Sequence, residues 1–269
     1  MERAKNRKAC CSLYKNELRL QAKPIYWWFG VLALLTLVSI MVYPLIDSII
    51  GSLTAEERAE LESMGAVFEY DSITAYFLFE CVQTHIVGGM LFACCFASLA
   101  LSRDFKRGTY ELLYTNALSR RQVLATKFSA LVTVVLILNV FLLIVELVGM
   151  AIIDFKGIDI VPILAFALFG ILVQLIVASI VFGIIICKPQ KLGLGVAIGL
   201  PLVLYFVSAI ATAVRSSAKW VENLSPLSIF SGMKVGAPFD INYLVLGIFA
   251  LLAVIVIVLG FRRNQKIDY

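Results

Sequence analysis

Glu80 and Glu146 are the two acids that fall inside long apolar stretches of this sequence, and with them lie Gln83, Thr84 and His85. An ionisable group within an apolar span is costly, and usually faces a cavity or a partner. Glu80 stands about seven residues from one end of its run and Glu146 about seven from the facing end of another, roughly 10 Å below the same surface at helical rise. Gln83 and Thr84 share the Glu80 face, while His85 is about 140° around an ideal helix from it. Two readings are open. The acids line an outer vestibule, where they share a proton or attract a cation. Alternatively, each is a structural group hydrogen-bonded between helices or reaching water.

Other chemistry is hard to build. There is no G-x-x-x-x-G-K-[ST] phosphate loop, no G-x-S-x-G elbow and no H-E-x-x-H helix. The single histidine limits imidazole catalysis and zinc binding alike. All the aspartates lie outside the apolar runs, so a paired-aspartate intramembrane enzyme is excluded.

The elements that position these residues follow from composition. Of 269 residues, 61% are hydrophobic and 15% charged, and the mean hydropathy is +0.94. A water-soluble globule carries charge nearer a quarter of its residues. The expected class is therefore all-α, a polytopic membrane protein with six spans at roughly 26–46, 73–101, 128–153, 161–187, 192–214 and 242–261. The first run is too long for a cleavable leader and lacks a small-residue cleavage pattern.

An even number of spans puts both termini on one side. That side collects the basic residues at 3–23, 103–127, 188–191 and 262–266, leaving Arg58, Lys156, Arg215, Lys219 and Lys234 for the other. The positive-inside rule makes the rich side, with both termini, cytoplasmic. The expected organisation is a basic interfacial helix at 1–25, a six-span unit at 26–263 and a short tail at 264–269. Tyr26, Trp27 and Trp28 mark the headgroup boundary, and Glu17 interrupts the apolar stripe of the first helix.

On the outer side, loop 47–72 contains Thr54 and Glu57 in a capping-box spacing. Loop 215–241 is half apolar yet broken by Pro226, Gly232, Gly236 and Pro238, so it either dips back into the membrane face or crosses the surface. The six cysteines suggest no disulfide framework and read as packing residues. Gly195 and Gly199, followed by Pro201, make a small-residue face for packing within the chain or against another subunit.

The most charged internal stretch is "SRDFKRGTYELLYTNALSRRQVLATK", residues 102–127, between the second and third spans. Ser119 and Gln122 have capping-box spacing, and the apolar rhythm from Val123 onward starts a helix there that continues into the third span. Gly108 permits a backbone turn. Between them, Thr109 to Tyr114 suit a short helix with Leu112 and Leu113 exposed, an apolar knob ringed by charge. Such a knob suits a groove on a soluble partner; equally, the loop caps two spans and attracts lipid phosphates.

This stretch resembles the first cytoplasmic loop of permeases of the type-2 class of ATP-binding-cassette (ABC) exporters. The matching residues are Asp104, Gly108, Thr109, Leu112, Leu113, Ser119, Arg120 and Lys127, with Ala117 where that class typically has proline. Six spans, the basic leading helix and the broken loop before the last span are also similar. The resemblance implies a permease subunit of an exporter, pairing as homodimer or heterodimer in a plasma membrane, and a bacterial one. Separate ABC ATPase subunits would hold ATP and Mg, with no cofactor on this chain and no nucleic acid as partner. Segment 102–127, with Glu111 among its charges, would be the coupling helix docked on the ATPase. The rival expectation is an ion-coupled transporter or channel using Glu80 and Glu146 without an ATPase. A membrane anchor subunit is a third.

Overall fold

The computed structural model describes residues 2–57, 60, 72–106, 108, 118–154, 156–187, 193–213, 219–232 and 241–264. Among these there is no strand. Helix α1 covers Glu2–Leu20 and α2 Ala22–Met41. Pro44 stands in the first turn of α3, Tyr43–Ser52, where its missing N–H ends one helix and starts the next. The first span is thus Ala22–Ser52 with a break at Val42. Just beyond it, Thr54 and Glu57 form their reciprocal capping bonds at 3.3 and 2.9 Å. Those bonds hold the Glu57 carboxyl below its ordinary pKa.

The second span has three parts: α4, Ile73–Cys81, a π-helical stretch at Val82–Val87, and α5, Gly88–Lys106. Ser72 caps α4 by accepting from the Ala75 amide at 3.2 Å. Helix α6, Arg120–Ile153, has 34 residues, about 50 Å at helical rise and well beyond a bilayer core. Ser119 and Gln122 close the capping box at its start. Helices α7, Ile160–Cys187, α8, Gly193–Ala213, and α9, Tyr243–Asn264, complete six helices long and apolar enough to cross a membrane. The six spans lie where the apolar runs put them; the second and third extend farther into segment 102–127 than hydropathy alone suggests.

Phe77, Phe92, Phe166 and Phe182 are fully buried at the centre, while Val140, Ile144, Val148 and Ile152 lie exposed along one stripe of α6. Buried Leu138, Leu142, Glu146 and Met150 alternate with that stripe at helical spacing. The exposed stripe is as apolar as the core, as a lipid solvent allows. Helices α7 and α9 approach backbone to backbone at Gly183 and Gly260, where a Cβ on either glycine would come within 2.8 Å of the other helix. At Gly195 and Gly199 a Cβ would meet nothing within 4 Å, so the close packing expected there within the chain is found between α7 and α9 instead.

Two 3-10 segments, Lys219–Leu224 and Pro226–Gly232, fold back onto the bundle. Ser225 donates to the Leu204 carbonyl at 2.9 Å, and Leu227, Ile229 and Phe230 are buried. The described part of this broken loop therefore packs against the helices. Thr74 ties the same end together, donating to the Gly157 carbonyl and accepting from the Asp159 amide, each at 2.9 Å.

Candidate functional site

Two polar clusters join the second span to the third. The deeper one begins with His85, buried in the π-helical stretch. Its Nδ1 lies 2.6 Å from Glu146 Oε1 and its Nε2 2.8 Å from Asn139 Oδ1. Asn139 donates from Nδ2 to the Val135 carbonyl at 2.8 Å and to Gln174 Oε1 at 2.7 Å. Gln174 in turn donates to the His85 backbone carbonyl at 3.1 Å. All four side chains are at most 1% exposed.

Local sequence makes room for this network. Gly89 follows the π-helical stretch, and a Cβ there would overlap the Gln174 amide. A π-helical turn also directs backbone carbonyls away from the regular ladder, and such turns recur at functional positions. Phe166 closes the side toward the folded-back loop: its ring is 5.5 Å edge-on from His85 and 5.3 Å from Phe230.

The other sequence candidates spread around this centre. Glu80 is partly exposed one turn earlier, Gln83 is exposed, and the Thr84 hydroxyl reaches the Cys81 carbonyl at 3.5 Å. Glu146 thus takes His85, rather than Glu80, as the hydrogen-bond partner of its Oε1. Asn139 and Gln174 were not among the candidates. Both are amides in the middle of apolar runs, and the rule applied to acids would have found them had it been extended to uncharged polar groups.

The second cluster closes the base of segment 102–127. Lys127 of α6 donates to Asp104 Oδ2 and Glu17 Oε1, both at 2.6 Å, and to the Ala100 carbonyl. Arg103 adds a bond to Glu17 Oε2 at 2.8 Å. Glu17 and Lys127 are 1% and 3% exposed, and the four charges sum to zero. The acid that breaks the apolar stripe of α1 is therefore a buried tie from α1 to both spans. Alongside, Leu13, Leu118 and Val123 form a small apolar cluster.

Nearby, Arg120 donates to the Asn264 carbonyl at 3.0 Å, bringing the end of α9 to this side. Gly108 has φ +67°, the left-handed turn that its lack of a Cβ allows. Thr109, Glu111, Leu112 and Leu113 lie outside the described residues.

Comparison with known protein families matches residues 12–268 to the family described as ABC-2 family transporter protein. The chain belongs to the ABC-2 transporter family. The match runs from α1 to the tail, so both polar clusters lie within it. A comparison with curated proteins gave no match. As an ABC-2 family member with six apolar spans, the chain is a multi-pass membrane protein and a permease component of an ABC transporter.

Proposed function

We propose that this ABC-2 protein is the permease of an exporter, moving its substrate by alternating access that is driven by ATP hydrolysis in separate subunits. The observation that carries the reading is the Lys127 tie. Segment 102–127 leaves α5 and enters α6 through one buried ionic base, so force on its tip is delivered to two spans and α1 together. A loop that merely connected two helices has no need of a base so costly to assemble.

In this reading, segment 102–127 faces the cytoplasm with both termini, on the side richest in Lys and Arg. Asp104, Ser119 and Arg120 hold its ends, Gly108 turns it, and Thr109, Glu111, Leu112 and Leu113 form the part that docks on the ATPase. ATP and Mg belong to that partner, and this chain binds no cofactor. A second permease chain, identical or homologous, completes the pathway; the open face of α8 at Gly195 and Gly199 is a place for it. The membrane is the plasma membrane, with lipid against the exposed apolar stripes. Glu80, Gln83, Thr84, His85 and Glu146 lie along the translocation path.

The test is to purify the tagged chain from its host in mild detergent and identify what accompanies it. The expected result is a stoichiometric P-loop ATPase that is lost with the double substitution Leu112→Asp and Leu113→Asp. A chain that purifies alone in several detergents, with the segment intact, overturns the coupling and leaves the ion-coupled reading.

A further inference from the structure

The deep network fixes its own proton count. Val135 O and His85 O are carbonyls and can only accept, so the Asn139 and Gln174 nitrogens that meet them must donate. Asn139 Oδ1 is then an acceptor, and His85 Nε2 carries the hydrogen that points to it. What remains lies between His85 Nδ1 and Glu146 Oε1, 2.6 Å apart. That gap holds one proton. With none, a buried carboxylate oxygen would face a bare nitrogen lone pair; with two, the site would be an unbalanced buried cation. Glu146 Oε2, buried and without a hydrogen-bond partner, offers no other place to balance charge.

We propose that His85 and Glu146 form a one-proton latch that holds the second and third spans together and makes their separation depend on pH. The inference rests on the alternating-access reading above, and adds to it that these two spans part at the level of His85. At this level the surroundings hold one other carboxyl, Glu80, which is partly exposed one turn earlier on the latch's own span. On the latch's own span the neighbouring ionisable groups are Tyr76, Glu80 and Cys81; on α6, Glu146 is the sole one beyond Lys127. Helix α7 has none before Cys187, α2 none after Tyr26, and α5 only cysteines before Arg103.

The sign follows from counting protons. Once water reaches the pair, an imidazole titrates near about 6.5 and a carboxyl near about 4.3. Between those values the open pair also holds one proton, and opening is independent of pH. Above about 6.5 the open pair holds none, so opening releases a proton, and the closed state is lost by up to about tenfold per pH unit. Below about 4.3 opening takes up a proton, and acid favours it.

His85 is the sole histidine, so nitrogen-15 labelling of histidine in the full chain in lipid nanodiscs gives one reporter. The expected spectrum between pH about 4.3 and 6.5 is dominated by one signal set, with Nε2 protonated and Nδ1 sharing its proton. As pH rises, a second set from neutral, hydrated imidazole grows by up to about tenfold per unit. Glu146→Gln removes the shared proton but leaves an N–H for Nδ1, so the sign reverses and acid, not alkali, populates the open form. A native His85 titrating as one population with a midpoint near about 6.5 overturns the latch. So does a shared-proton signal with no second set at any pH, and this native series stands even if the variant fails to fold. The latch signal in a chain that purifies without an ATPase would overturn the coupling reading alone.

Discussion

The two polar clusters bind the same pair of spans, yet they are made differently. At the base, two full cations meet two full anions: Arg103 and Lys127 against Glu17 and Asp104. Deep in the bundle, amides and one histidine–glutamate pair do the same work. The difference follows depth. Near the membrane boundary, charges can be hydrated until the bundle closes, and four of them cancel at short range. Deeper, amides and a pair that shares one proton leave the closed network without net charge to bury.

Breaking the base should have the largest effect. Lys127→Met leaves Glu17 and Asp104 buried without their shared cation, a loss of about 3–5 kcal/mol, read as a fall in melting temperature in detergent. Replacing Glu17 as well, by Gln, should recover part of that loss; no recovery would mean that the lysine acts on Asp104 alone.

In the deep network, Asn139→Leu should cost about 1–3 kcal/mol for each orphaned partner, since His85 Nε2 and Gln174 Oε1 both lose a bond. Gly89→Ala removes no hydrogen-bonding side chain and should cost about 1–3 kcal/mol by displacing the Gln174 amide from its bonds to Asn139 and the His85 carbonyl. If the depth argument holds, these two destabilise in lipid by amounts that depend little on salt.

Smaller effects mark the edges. Ser119→Ala removes one half of the α6 cap and should cost about 1 kcal/mol, seen as fraying of the first turn by hydrogen exchange. Gly195→Ala should change the stability of the single chain by less than about 0.5 kcal/mol, because nothing within it meets the new methyl. A larger drop confined to the assembled transporter would place a partner on that face.

Spans, capping boxes and the turn at Gly108 were legible because each depends on neighbours in sequence: hydropathy over about 20 residues, a three-residue spacing, one backbone angle. Glu146 and His85 were legible as costly groups, but not as each other's partners. That pairing joins residues 61 positions apart on different helices. The π-helical stretch that presents His85 leaves no mark in hydropathy either.

The sequence by itself determined that this chain fills a membrane with six helices, because too few polar residues exist to cover it in water. It also determined which loop carries charge and which spans carry acids. Only the tertiary structure decided that Glu17, a flaw in an amphipathic pattern, meets Lys127 at a distance of 110 residues, and that Asn139 and Gln174 complete a closed network. A buried polar group must find a partner, but chain composition does not say which; helix packing does.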